Sequence, residues 1–179
     1  ELLKKEANVP SRSTGISGSI LTGLHNANSD IDPIVYGSRN CRKVYVALEA
    51  LLKDESGLFK PYSREELKAL FDFRSKDTAM RFEDFVRTES RKVLQGKFES
   101  HDYFVRCLKD WHEVNEHYGS VIYRPAGYTM IRAVVTDDSQ MIFTPCHYEI
   151  DDVDVIEVSK VKAIKEIVSF RGRFCEQAR

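Results

Sequence analysis

The strongest constraint in this 179-residue chain is a short acidic segment that runs directly into an apolar one. Asp30-Ile31-Asp32 is followed by Pro33 and then by Ile34-Val35-Tyr36, a run typical of a buried β-strand. Side chains alternate between the two faces of a strand, so both carboxylates share one face and Ile31 takes the other. They would lie about 6–7 Å apart along the strand, which suits hard divalent cations such as Mg²⁺. The segment therefore predicts a metal site on one face of a sheet.

A glycine–serine pair precedes the acidic segment. Gly18 lets a ligand approach the backbone without meeting a Cβ atom, and Ser19 offers a hydroxyl and an N–H group. The apolar residues Ile20 and Leu21 that follow could open a helix aimed at the same point, and helix N-termini attract phosphates. This order of motifs predicts a triphosphate beside a divalent cation.

The acidic segment also has a purely structural interpretation. Ser29-Asp30-Ile31-Asp32-Pro33 makes a good surface turn, because Asp and Pro are common turn residues. The spacing between the glycine–serine pair and the acidic segment, together with the strand and helix that follow, favours a metal and phosphate site over a surface turn.

At these residues the chain resembles the nucleotidyltransferase superfamily related to DNA polymerase β. The signature of that superfamily is Gly-Ser, a short spacer and Asp-apolar-Asp on a strand, and Gly18-Ser19 with Asp30-Ile31-Asp32 follows it. The chain departs from the pattern at Ile20, where many members carry an arginine, and in the weakly apolar segment 11–15. It also has Pro33 in place of an aliphatic residue, and since proline removes a ladder donor, we expect Pro33 at a sheet edge or a bulge.

The resemblance implies a metal-dependent enzyme that transfers a nucleotidyl group from a nucleoside triphosphate to an acceptor hydroxyl, on nucleic acid or another molecule. Asp30, Asp32 and a third carboxylate would be the catalytic, metal-binding residues, and Gly18 and Ser19 would hold the triphosphate. One Mg²⁺ or Mn²⁺ ion would activate the attacking hydroxyl, and a second would neutralise charge on the leaving pyrophosphate.

The third carboxylate of the superfamily lies on a strand that comes after the helix following Asp-x-Asp. Asp102, next to the strand-like run Tyr103-Phe104-Val105, is the best match, and Glu99 is the second choice. An ordinary carboxylate at a strand edge explains Asp102 equally well.

Two other hypotheses belong to different functional classes. A non-catalytic module could keep this fold and bind nucleic acid or a protein, and the missing arginine after Ser19 favours it. Arg171-Gly172-Arg173, between Phe170 and Phe174, could stack bases and hold phosphates, although a strand edge explains it too. Alternatively, the motif match arises by chance in an unrelated α+β protein.

Composition narrows the class of protein. A formal net charge of -1 gives no overall attraction to nucleic acid or anionic membranes, so such binding would need a local patch. No apolar run approaches the ~18 residues of a membrane helix, and the N-terminal residues lack the apolar region of a signal peptide. We expect a cytoplasmic protein without a membrane partner, in which the four widely spaced cysteines are buried or reduced thiols.

The periodicities predict an α+β fold in two parts. Residues 1–111 would form an α/β domain like that of the nucleotidyltransferases, and residues 112–179 a β-rich region, either an antiparallel sheet or a small barrel. Helices are predicted over 1–7, over 38–54, after a capping box at Ser63–Glu66, and from about residue 78 to Gly96. Asp137–Gln140 is predicted to be a hairpin turn between strands 129–135 and 141–143.

Overall fold

The computed structural model of the chain describes residues 1–76, 80–117, 119–157 and 163–178. It divides into two compact units, Glu1–Leu108 and Lys109–Arg179. The sequence predicts this division after residue 111, whereas the structure divides after Leu108. The fold is α+β with three three-stranded sheets, and over the described ranges no helix has the length and apolar character needed to cross a membrane.

Helices and short strands alternate in the first unit. In chain order its elements are α1 (Leu2–Glu6), β1 (Thr14–Ile16), α2 (Gly18–Thr22), β2 (Pro33–Tyr36), α3 (Ser38–Leu51), β3 (Phe59–Lys60), α4 (Arg64–Arg74), α5 (Phe82–Glu89), β4 (Gln95–Phe98), β5 (His101–Phe104) and β6 (Arg106–Leu108). The predicted helices near residues 1–7 and 38–54 are confirmed. So is the capping box, in which the Ser63 hydroxyl accepts from the Glu66 N–H at 3.2 Å and the Glu66 carboxylate accepts from the Ser63 N–H at 2.8 Å.

Strand β2 is the centre of the first unit. It lies between β1, which runs antiparallel, and β6, which runs parallel. Ahead of β2, Ile31 pairs in parallel with Tyr103, donating to the Asp102 carbonyl at 2.8 Å and accepting from the Phe104 N–H at 3.1 Å. The Ile31–Tyr103 and Ile34–Arg106 pairs have the same residue offset, so one register aligns residues 31–36 with residues 103–108.

The two faces of this paired segment differ in burial. Val35, Val105 and Cys107 are almost completely buried on one face, as are Cys41, Val44 and Leu48 of α3. The alternate residues of both strands are half-buried or exposed on the other face, which we call the open face. The open face carries Asp30, Asp32 and Ile34 from one segment and Asp102, Phe104 and Arg106 from the other.

Two predictions for the first unit are wrong. The helix expected to reach Gly96 ends at Glu89, and Gly96 lies in β4; residue 78, where that helix was expected to begin, is outside the described residues. A Cβ atom at Gly96 would lie 2.6 Å from the Lys60 carbonyl oxygen, so the close pairing of β3 with β4 overrides the local helical pattern. Pro33 is not on an edge strand: it is the first residue of the central strand β2, another position that tolerates proline.

The second unit is an open antiparallel sheet of β7 (Met130–Gln140), β8 (Cys146–Glu157) and β9 (Glu166–Ser169), so the antiparallel sheet is confirmed and the barrel alternative is wrong. The predicted turn at Asp137–Gln140 is also wrong, since β7 continues through it. The Asp137 carboxylate accepts from the Ser139 N–H at 2.7 Å while the β7–β8 register shifts, which marks a bulge.

One core cluster of this unit contains Cys146, Tyr148 and Cys175, and the Tyr148 hydroxyl donates to the Phe174 carbonyl at 3.0 Å. Ile142, Phe143 and Ile150 are buried as well. All four cysteines of the chain are buried thiols outside any disulfide, as the sequence predicts.

A buried ionic network stabilises the helical side of the first unit. The Glu89 carboxylate is 2.8 Å from the Arg74 guanidinium, 2.6 Å from the Lys92 ammonium and 2.6 Å from the Gln95 amide nitrogen. Glu89, Lys92 and Gln95 are each only 4% exposed. Two cations thus lie against one buried carboxylate.

We expect Glu89→Gln to destabilise the protein by about 3 kcal/mol, because it removes the negative charge that lies 2.6 Å from the buried Lys92 ammonium. The free energy of unfolding in urea measures this. The matched control is Glu83→Gln, which removes an exposed ion pair with Arg64 and should cost less than about 1 kcal/mol. Equal losses for the two variants would show that the network contributes no more than a surface pair.

Candidate functional site

The glycine–serine turn lies directly against the second aspartate. Gly18 begins α2 with φ +64°, and a Cβ atom there would be 2.1 Å from Oδ2 of Asp32 and 3.2 Å from its Cγ. Ser17 fixes the approach, since its N–H and its hydroxyl donate to the Asp32 carbonyl at 2.8 and 3.2 Å. The two motifs are thus in contact, and only glycine leaves room for the carboxylate.

The hydroxyl of Ser19 is a side-chain donor that is available to a ligand. Within the described ranges it has no hydrogen-bond partner, whereas the Ser19 carbonyl accepts from the Leu24 N–H at 3.0 Å and from the Thr22 hydroxyl at 3.2 Å. The backbone of Ser19 is therefore held within its own turn while its side-chain donor stays available.

The two aspartates form the acidic end of the open face. Asp30 is exposed and Asp32 is half-buried. Burial raises the pKa of Asp32, the charge of Asp30 raises it further, and Arg106 acts in the opposite direction. A carboxylate held beside a like charge is common at functional sites, where a bound cation relieves the repulsion.

Asp102 reaches the same face, but its carboxylate already has partners. The register that pairs Ile31 with Tyr103 places Asp102 beside Asp30. The Asp102 carboxylate is 3.1 Å from the Lys97 ammonium, and burial and then Asp102 raise the pKa of Tyr62. The described residues contain no group of three or more His, Cys, Asp or Glu side chains that could hold a metal ion. The structure thus brings Gly18, Asp30 and Asp32 together and leaves Asp102 in an ion pair.

Glu99, the second choice for the third carboxylate, lies in the turn between β4 and β5. Its backbone has φ +53°, and its N–H donates to the Leu58 carbonyl at 2.8 Å. Its side chain is exposed.

Sequence reasoning missed two residues of the open face. Phe104 and Arg106 follow Asp102 at intervals of two residues, so strand alternation places all three on one face. The Arg106 guanidinium carbon is 5.7 Å from the centre of the Phe104 ring. The signal was present in the sequence as Asp102-x-Phe104-x-Arg106, but its importance depends on pairing with residues 31–36.

The chain is 32% identical over 176 residues to an uncharacterized protein of Methanocaldococcus jannaschii. The alignment covers 98% of this chain and 49% of that protein, so the chain spans about half the length of the curated relative that it matches. No family model matches the chain, and no solved structure does.

The contact between Gly18 and Asp32 can be tested with alanine. Gly18→Ala and Gly23→Ala both force a positive φ on alanine, at about 1–2 kcal/mol each, but a Cβ atom at Gly23 would meet nothing within 4 Å. We expect Gly18→Ala to be the more destabilising variant in urea unfolding. Adding Asp32→Ala should recover at least about 0.5 kcal/mol with Gly18→Ala and nothing with Gly23→Ala, as coupling between touching residues requires. Additive effects in both pairs would contradict the contact.

The raised pKa of Asp32 predicts that Asp32→Asn increases the free energy of unfolding by an amount that depends on pH. Because the folded state favours the protonated carboxyl, wild-type stability falls as pH rises from the ordinary carboxyl range through the raised pKa. In EDTA, Asp32→Asn should therefore be more stable than the wild type at pH 7, by less than about 1 kcal/mol, and equal to it near pH 3.

Asp84→Asn provides a control of opposite sign for this measurement. A hydrogen bond from Arg81 lowers the pKa of Asp84, so this variant should lose stability at pH 7 and approach the wild type as the pH falls through the lowered pKa. A loss of stability at neutral pH in Asp32→Asn would show that Asp32 is favourably placed as a charge and is not under electrostatic strain.

Proposed function

We propose that this chain is a metal-dependent nucleotidyltransferase that transfers a nucleotidyl group from a nucleoside triphosphate to an acceptor hydroxyl. The observation that carries the proposal is the contact of Gly18 with the Asp32 carboxylate. It joins a phosphate-binding type of turn to a cation-binding type of carboxylate pair, which a purely structural turn would not need.

Asp30 and Asp32 suit a Mg²⁺ or Mn²⁺ ion that arrives with its nucleotide. Mg²⁺ is usually held by one or two carboxylates together with substrate phosphates, so two protein ligands are enough for such an ion. When bound, the ion would offset the charge of the triphosphate and lower the pKa of the acceptor hydroxyl. The Asp32 carboxylate fills the space that a Cβ atom at Gly18 would take, so glycine at this position brings the carboxylate against the turn.

The residues of the chain itself would act mainly by position and charge. Ser19 would donate its hydroxyl to the triphosphate, and Gly18 would allow the phosphate to approach the backbone. Without a cation, Asp30 and Asp32 repel a triphosphate. The site would therefore admit the nucleotide together with a cation and reject the bare nucleotide.

Asp102 decides between this proposal and a second candidate function. As a third ligand it would have to turn one oxygen toward the cation, while Oδ1 now lies 3.1 Å from the Lys97 ammonium. If neither oxygen reaches the cation, the chain would be a non-catalytic module that binds nucleotide, nucleic acid or protein without transfer. We propose the enzyme with Asp102 as its third carboxylate, and place it in the cytoplasm, where the four buried thiols stay reduced.

Binding is the first test. Calorimetry with nucleoside triphosphates should give at least about tenfold tighter binding in Mg²⁺ than in EDTA, as expected when a cation bridges two anionic groups. Asp32→Asn should remove most of this gain. Glu99→Gln, which neutralises an exposed carboxylate in a turn, should leave it unchanged. Equal affinity with EDTA and with Mg²⁺ would reject a metal-dependent site.

Transfer is the second test. The chain is incubated with labelled nucleoside triphosphates, Mg²⁺ or Mn²⁺, and RNA, DNA or small-molecule acceptors, and labelled products are separated. Asp102→Ala should lower the rate by a factor of about a hundred or more, roughly 3 kcal/mol in the barrier, while leaving folding intact. Metal-dependent binding without transfer to any acceptor would favour the non-catalytic module.

A further inference from the structure

We propose that Arg106 binds the triphosphate of the donor nucleotide. This inference rests on the proposed function, since it assigns a substrate contact within the same site. It would make Arg106 a substrate-positioning residue that selects nucleoside triphosphates over monophosphates.

The sheet register places Arg106 within reach of the proposed site. Arg106 pairs with Ile34, one step along the open face from Asp32, and Phe104 lies directly beside Asp32. For ideal strand spacings the Cα atoms of Asp32 and Arg106 are roughly 8 Å apart on this diagonal. An arginine side chain spans most of that distance. A polyphosphate bound beside Asp32 could therefore extend its further phosphates to within hydrogen-bonding distance of the guanidinium.

The guanidinium of Arg106 is not used by the fold. It has no hydrogen bond and no ion pair within 4.0 Å in the ranges that the structure describes; its contacts there are the Phe104 ring and the more distant charge of Asp32. Two other half-buried cations of this unit are engaged, Lys97 with Asp102 at 3.1 Å and Arg74 with Glu89 at 2.8 Å. Arg106 differs from them because its donors are available to a ligand.

The backbone beneath Arg106 is firmly held. The neighbouring Cys107 is completely buried, and the Leu108 carbonyl accepts from the Gly37 N–H at 2.9 Å. The Phe104 ring also limits where the guanidinium can go, through a cation–π contact. A planar donor group held in this way loses little freedom when it binds phosphate oxygens.

Charge explains why the partner should be a polyphosphate. The charge of Arg106 acts on Asp32, but in the described ranges the two side chains form no ion pair within 4.0 Å. If a divalent cation bound to the carboxylates, that cation and the guanidinium would repel each other. A triphosphate relieves this repulsion because some of its oxygens can bind the cation while others accept from the guanidinium.

The test compares Arg106→Gln, Arg106→Lys and the wild type, with Arg39→Gln as control. Arg39 is an exposed arginine of α3. The buried side chains of this helix belong to the buried face of the sheet, opposite the open face. Calorimetry with Mg²⁺ uses non-hydrolysable analogues of ATP, GTP, CTP and UTP, inorganic tripolyphosphate, the corresponding nucleoside monophosphates and a single-stranded oligonucleotide. Thermal unfolding of each variant checks that it is folded.

We expect Arg106→Gln to weaken triphosphate and tripolyphosphate binding about tenfold or more, the usual effect of losing a hydrogen bond between charged groups. Monophosphate binding should change less than about twofold, since the guanidinium would contact phosphates beyond the first. Arg106→Lys should recover part of the affinity, because it keeps the charge and loses the forked donors. Arg39→Gln should bind as the wild type does.

Two results would overturn the inference while leaving the proposed function in place. One is a wild type that binds triphosphates with Mg²⁺ while folded Arg106→Gln and Arg106→Lys bind them equally well. The other is a loss confined to the oligonucleotide, which would make Arg106 a contact for an acceptor. A wild type that binds no triphosphate with Mg²⁺ would overturn the proposed function itself, and this inference with it.

Discussion

The first unit depends on one continuous parallel pairing, between residues 31–36 and residues 103–108. These two segments are far apart in sequence, so closing the intervening loop costs conformational entropy that burial must offset. The buried face supplies that burial, with Val35, Val105 and Cys107 almost inaccessible. Because strand side chains alternate, the same pairing places Asp102, Phe104 and Arg106 on the face that carries Asp30 and Asp32. The burial that stabilises one face therefore also fixes which side chains lie together on the open face.

Two carboxylates of this unit, Glu89 and Asp32, differ in how far neighbouring groups compensate their charge. The buried Glu89 carboxylate has Arg74, Lys92 and Gln95 within 2.8 Å, so its charge is fully compensated. Asp32 is half-buried beside the like charge of Asp30, and these effects raise its pKa. Fully satisfied networks give a fold a unique arrangement, whereas unrelieved repulsion is tolerated where a ligand can relieve it. The contrast marks Glu89 as structural and supports the proposal that Asp32 belongs to a site.

The second unit has a different balance of forces. Its core cluster consists of Cys146, Tyr148 and Cys175, with the Tyr148 hydroxyl hydrogen-bonded to the Phe174 carbonyl. A hydrogen bond with Cys146 and then burial raise the pKa of the Cys175 thiol, so it stays protonated and inert. The buried side chains of Ile142, Phe143 and Ile150 extend the apolar core of this unit beyond that cluster.

Local patterns in the sequence determined the elements whose causes are local. The capping box at Ser63–Glu66 specifies a helix start through two short hydrogen bonds, and the apolar spacing after residue 38 specifies the amphipathic helix α3. Strand alternation likewise placed Asp30 and Asp32 on one face. These features need only neighbouring residues, so the sequence predicts them directly.

Features that depend on distant contacts were decided by the tertiary structure alone. The local pattern predicts a helix end at Gly96, but this residue lies in strand β4. Glycine is needed there because the Lys60 carbonyl of the paired strand β3 comes too close for any Cβ atom. The ion pair of Asp102 with Lys97 and the position of Arg106 beside Ile34 follow from strand pairings that no local pattern specifies. The sequence alone could therefore predict that two carboxylates and a glycine lie together. The presence of Arg106 on the same face depended on the register between strands, and register is set by burial across the whole sheet.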